Sequence, residues 1–203
     1  MLIIGVTGGI GAGKSSVSAI LEELGALIID ADLISKQIVE PDKPAWEKII
    51  EVFGDKIIKK DKTIDRKKLA DIIFKSEEKK LLLESIIHRE VIAVIKLKLG
   101  TMREYGYSGT VVLDVPIPVK EGFLDTVDSV WVVVSNDDIR LNRVTARGGI
   151  SRDDAQNRIK SQLTQEEYIK LAHEVIENNG SIEELREKVR TIYDRFLTNI
   201  TNQ

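Results

Sequence analysis

The chain has 203 residues, with 30 lysines and arginines against 33 aspartates and glutamates, a net charge of −3 and no cysteine. That length suits one α/β domain with room for an inserted subdomain, and the missing cysteines exclude disulfides and thiolate metal sites. The mildly acidic balance argues against a nucleic-acid partner. No apolar run approaches the ~20 residues of a membrane span, so a cytoplasmic protein with no membrane partner is expected.

The first apolar run, Leu2-Ile-Ile-Gly-Val6, reads as a buried strand and not as a signal segment. It flows into Gly8-Gly9-Ile10-Gly11-Ala12-Gly13-Lys14-Ser15, which fits the phosphate-loop pattern G-x-x-x-x-G-K-[ST]. Val17, Ile20, Leu21 and Leu24 then recur at helical spacing, so the loop lies between strand and helix, as the pattern requires. Four glycines (Gly8, Gly9, Gly11 and Gly13) let the backbone curl until its N–H groups converge on an anion at a helix N-terminus. Gly8 through Ser16, Ala12 included, is therefore the candidate ATP site. Lys14 is placed to reach the β- and γ-phosphates, and the Ser15 hydroxyl to ligate Mg²⁺.

After Gly25, Ala26-Leu-Ile-Ile29 reads as a second strand ending at Asp30-Ala-Asp32. In an open parallel sheet ligands collect beyond the carboxyl ends of strands. With the phosphate loop taken to lie on the neighbouring strand, Asp30 is a candidate near the metal, and Asp32 for orienting an attacking hydroxyl. Either carboxylate also suits a helix cap. About eighty residues of helical pattern follow, too many for one crossover and read as an inserted helical subdomain. Pro44 starts a helix ending near Gly54, Ser76 caps a long one, and Leu83, Ile87, Val91, Val94 and Ile95 mark that helix's apolar face. Trp46 and Trp131 read as core.

Thr110-Val-Val-Leu-Asp-Val115 and Val130-Trp-Val-Val-Val134 are further strands, and Glu174-Val-Ile176 a short fifth. Asp114, at the end of its strand, is a candidate for holding Mg²⁺ through water, or for opening the turn at Pro116. Between Arg140 and Lys160 stand six basic residues and two acidic ones. Arg143 and Arg147, one helical turn apart, are the best pair for clamping phosphate. Gly148-Gly149 is either the hinge of a lid or an ordinary turn. Thr164 with Glu167, and Ser181 with Glu184, are capping boxes. His173 reads as structural.

These segments, taken together, resemble the dephospho-coenzyme A kinase family. The matching residues are Val6 to Ser15, Ile29-Asp-Ala-Asp32, Phe53-Gly54, Ile64-Asp-Arg66-Lys-Lys-Leu69, Ile87-His88, Val112 to Pro116, Arg143 with Arg147 and Gly149, Gln162, and Ile176-Glu-Asn-Asn-Gly180. The resemblance implies a phosphate-loop NTPase fold of the adenylate-kinase kind, with a parallel five-stranded sheet flanked by helices (1–30, 107–135 and 164–203), a helical substrate subdomain (31–106) and a helical lid (136–163). It implies transfer of phosphate from ATP to the ribose 3′-hydroxyl of dephospho-CoA, the last step of coenzyme A synthesis. Lys14, Asp32, Arg143 and Arg147 would then be catalytic, Asp32, Arg66 and His88 would meet the substrate, and Ser15, Asp30 and Asp114 the metal. A monomer or weak homo-oligomer is expected. The chain departs from the family pattern at Arg89, where a proline is usual, at Lys120, at Arg140 in place of a glutamine, and at His173 in place of an aspartate. These changes leave open a phosphate-loop kinase for another small metabolite or nucleotide, and the alternative of a different class is a nucleotide-dependent switch protein.

Overall fold

The computed structural model describes residues 1–201. Five strands, β1 (Leu2–Thr7), β2 (Leu27–Asp30), β3 (Thr110–Asp114), β4 (Ser129–Val134) and β5 (Glu174–Glu177), form one parallel sheet in the order β2-β3-β1-β4-β5. The apolar runs thus become strands, as expected. The expectation that the Asp30 strand neighbours the phosphate-loop strand is corrected, because β3 lies between them. The burial pattern gives the reason. All five residues of β3 are buried and suit the interior, whereas β2 exposes Leu27 and half-exposes Ile28, which an edge position tolerates.

The chain divides into two compact units, Met1–Asp30 with Gly106–Gln203, and Ala31–Tyr105. In the first, α1 (Lys14–Glu23) and α9 (Ile182–Thr201) pack side by side over the sheet. Their apolar faces close a core containing Ile4, Val17, Leu21, Trp131, Val189 and Tyr193. Trp131 is fully buried, edge-on to Tyr193 and Phe196 with ring centroids 6.4 and 5.9 Å away. Its indole N–H donates to Ser129 Oγ at 3.1 Å, so no polar atom of the ring is stranded. Helices α6 (Asp137–Gly148), α7 (Arg152–Lys160) and α8 (Gln165–Ile169) separate β4 from β5. Ser151 caps α7 by accepting from Asp154 N, and Thr164 and Glu167 form a complete capping box on α8.

β5 is an edge strand. His173, just before it, closes two bonds with Val130: its N–H donates to the Val130 carbonyl at 2.8 Å, and its Nδ1 accepts from Val130 N at 2.9 Å. An aspartate oxygen would accept the same amide, so this departure from the family pattern preserves a backbone bond. Arg195 pairs with Glu174 at 2.6 Å, and Lys188 Nζ donates to the Glu177 carbonyl at 3.1 Å.

The helical unit holds α2 (Ala31–Gln37), α3 (Pro44–Phe53), α4 (Arg66–Ile73) and α5 (Glu77–Glu104). Pro44 opens α3, and Ser76 Oγ accepts from Lys79 N to cap α5. The buried stripe of α5 is Leu83, Ile86, Ile95 and Leu99, while Ile87 and Val91 are only half-buried. Across 28 residues α5 packs against three helices, α2, α3 and α4, so no single straight stripe serves it. Trp46 is also corrected. It is half-buried, and its indole N–H donates to the Lys62 carbonyl at 2.9 Å, a partner at the surface. Among the described residues no helix is long and apolar enough to cross a membrane.

Trp131→Ala should cost about 3–5 kcal/mol by emptying the centre of this core. Urea denaturation followed by circular dichroism measures it, and a loss below about 1 kcal/mol would show that the site collapses freely.

Candidate active site

β1, flanked by β3 and β4, stands where the strand order turns, and the glycine-rich loop leaves its carboxyl end. α1 begins at Lys14, directly after the loop. Lys14 Nζ forms an ion pair with Asp114 Oδ1, and Ser18 Oγ donates to Asp114 Oδ2 at 2.6 Å. Asp114 is 4% exposed. Burying a carboxylate in this way is tolerable only with a cation and a hydrogen-bond donor on its oxygens. Lys14, Ser18 and Asp114 therefore tie α1 and the end of the loop to β3.

The outside of the loop is gripped by its carbonyls. Asn178 Nδ2 donates to Ala12 O at 2.8 Å, and Arg143 Nη1 reaches Gly11 O at 3.4 Å and Ala12 O at 3.3 Å. Arg143 also donates to Asn178, through Nη1 to its carbonyl (3.1 Å) and Nη2 to its Oδ1 (3.3 Å). Ser135 Oγ donates to the same carbonyl at 2.9 Å. Holding the carbonyls outward is the condition for the amides to converge inward on an anion. Gly13 has φ +100°, and a Cβ there would collide with Asn178 Nδ2, so both its conformation and its neighbour demand glycine.

Residues after β4 supply a second set of contacts. Ile10 N donates to Gln162 Oε1 at 2.7 Å, and Ile10 O accepts from Arg140 Nε at 3.2 Å. Arg140 is buried, whereas Arg147, on the same helix, is exposed. Tyr168 donates to Pro116 O at 3.0 Å, and burial raises its phenol pKa above the ordinary value, partly offset by the charge of Arg140.

Asp30 ends β2 with its Cα in register with that of Asp114, so two carboxylates end neighbouring strands at one level of the sheet. Ser15 is exposed at the loop's exit. This all-oxygen donor set suits Mg²⁺, which keeps several waters and takes one or two carboxylates with substrate phosphates. Among the described residues no group of three or more His, Cys, Asp or Glu gathers as an all-protein metal site, and Mg²⁺ does not need one. In the helical unit Asp32 is the second residue of α2, Arg66 the first of α4 after the Asp65 cap, and His88 lies midway along α5. All three are exposed.

The dephospho-CoA kinase family matches residues 2–184 of the chain. The chain belongs to the dephospho-CoA kinase family. A relative from Carboxydothermus hydrogenoformans, named dephospho-CoA kinase, is 46% identical over 194 residues, spanning 96% of this chain and 94% of that one. The crystal structure of TT1252 from Thermus thermophilus superposes with a TM-score of 0.79 at 29% identity, over 96% of this chain and 97% of that one. A dephospho-CoA kinase from Campylobacter jejuni gives 0.70 at 29% identity, over 96% of both chains.

Sequence reasoning missed Ser18 and gave no role to Gln162 or Asn178. Ser18 had a readable signal, a hydroxyl one turn after Lys14 on a helix face otherwise filled by Val17 and Leu21. Asn178→Ala in this family member removes the shorter of two hydrogen bonds to the Ala12 carbonyl, leaving only the longer one from Arg143, and should lower nucleotide affinity about tenfold, in line with ~1–3 kcal/mol for a buried bond broken on one side. Titration calorimetry checks it, and unchanged affinity would remove Asn178 from the loop's support.

Proposed function

We propose that this site carries out ATP-dependent phosphorylation of dephospho-CoA at its ribose 3′-hydroxyl, giving coenzyme A, with the work divided among Lys14, Asp32, Arg143 and Arg147. The observation carrying most weight is the Lys14–Asp114–Ser18 constellation beneath a loop whose carbonyls are tied outward. Family membership supplies the acceptor.

In phosphoryl transfer the transition state is loose, and catalysis is mostly positioning and charge stabilisation. The loop amides from Gly11 to Ser16 hold the phosphate chain. Lys14, steadied by Asp114, follows the charge that develops on the transferred group. Arg143 acts through the loop it braces, and exposed Arg147 is free to swing toward the γ-phosphate as the helices after β4 close. Ser15, with Asp30 and Asp114 through water, would hold Mg²⁺, which would neutralise charge on the phosphates when bound.

Asp32 orients the acceptor hydroxyl and accepts its proton. Its solvent-facing place at the start of α2 leaves the carboxylate available for that task. Arg66 and His88 contact the substrate from the helical unit. Closing around both substrates excludes water, which would otherwise compete as phosphoryl acceptor. The reaction belongs in the cytoplasm.

ADP release by the purified protein should rise on adding dephospho-CoA and stay flat with adenosine, shikimate or nucleoside monophosphates. Absence of stimulation by dephospho-CoA overturns the reading. Lys14→Ala should abolish turnover. Asp32→Asn should lower kcat by ~10²–10⁴ while ATP affinity stays put, and a kcat near wild type would release Asp32 from its role.

A further inference from the structure

The peptide groups on both sides of Ile10 are held by side chains from outside the loop. Its amide donates to Gln162, just past α7, and its carbonyl accepts from Arg140 of α6. Arg140 is unusual among the charged residues. Its side chain is 4% exposed, and its partner Asp137, at 3.0 Å from Nη1, is 79% exposed. Its Nη2 is buried without a hydrogen-bond partner. An enclosed guanidinium with both N–H groups of one nitrogen open is costly, so its position needs an offsetting benefit.

The place where Nη2 rests supplies one. A Cβ built on Gly9 would stand 2.6 Å from Arg140 Nη2, 3.3 Å from Cζ and 3.6 Å from Gln162 Oε1. Gly9 is not among the glycines with positive φ; what it provides is space. On the other side of Ile10, a Cβ on Gly11 would stand 2.6 Å from the Arg140 carbonyl. Arg140 thus fits the stretch 9–11 with both its side chain and its backbone.

We propose that Arg140 is a positioning residue for the phosphate loop: with Gln162 it fixes the Ile10 peptide groups and hence the loop's curvature, and Gly9 lacks a side chain in order to admit its guanidinium. The proposal rests on the reading that this loop holds ATP. It gives the Arg140 charge a second task, since a cation enclosed behind the loop adds to the positive field that a polyphosphate meets in front of it.

The test uses the full chain with Arg140→Gln, Arg140→Lys, Gly9→Ala and the Gly9→Ala/Arg140→Gln double variant. It measures kcat, both KM values, ATP affinity by calorimetry, and Tm. Arg140→Gln should weaken ATP binding and raise the ATP KM about tenfold, leaving the dephospho-CoA KM nearly unchanged. Arg140→Lys should behave like the glutamine variant, because an ammonium lacks the Nε donor and the planar fork. Gly9→Ala should weaken ATP in the wild-type background yet add little once Arg140 is glutamine, a non-additivity that reports direct contact. Equal changes in both KM values tracking the loss of Tm, an additive double variant, or full activity with lysine would each overturn the proposal. These outcomes separate from the reaction assigned above, because ATP affinity is read without an acceptor. Missing turnover with dephospho-CoA defeats the reaction alone, whereas a wild type that fails to bind ATP defeats both.

Discussion

Lys14 and Asp114 meet where β1, β3 and α1 converge, each largely enclosed by protein. Either charge alone in that position would cost several kcal/mol of desolvation, and together they are tolerable only because Ser18 satisfies the second carboxylate oxygen. The pairing fixes three elements at once. It sets the height at which α1 begins above the sheet, anchors the lysine ammonium at the end of β3, and commits that strand end to the same crevice. A phosphate chain arriving there meets an ammonium already in place, with little side-chain freedom left to lose.

The loop itself is shaped from behind. Arg143 and Asn178 take its carbonyls, Arg140 and Gln162 take the Ile10 peptide groups, and these side chains come from separate segments that follow β4 and β5. A loop this rich in glycine has little side-chain packing beyond Ala12 in the core, so much of its curvature must be imposed by neighbours. The division of labour among arginines follows from burial. Arg140 and Arg143 are committed to the scaffold, and Arg147, one turn beyond Arg143, keeps its head in solvent.

Much of this was legible in the residues. Continuous apolar runs such as Val111 to Leu113 announced buried parallel strands, and Gly8 to Ser15 announced the loop and the helix after it, because strict local geometry leaves few sequences able to make that turn. Sheet order was not legible. The edge place of β2 depends on which strand outcompetes the other for the interior, a comparison of Leu27 and Ile28 with Val111 and Val112 that only the assembled sheet resolves. The stripe on α5 was misplaced by a position or so because the helix packs against three others at once. The roles of Asn178 and Gln162, though both lie in segments the sequence singles out, were illegible for another reason. A side chain that caps a carbonyl 166 residues away, or an amide 152 away, leaves no periodic trace in its own neighbourhood.

The outer margin of the sheet at β5 carries one more consequence. The strand is only four residues long, and the Arg195–Glu174 pair and the Lys188 ammonium on the Glu177 carbonyl place cations along it. A foreign segment seeking to extend the sheet would have to displace those ammonium and guanidinium groups and strip their water before gaining a single rung of the ladder. The open edge of β5 is therefore guarded against strand addition by the cations its own chain lays along it.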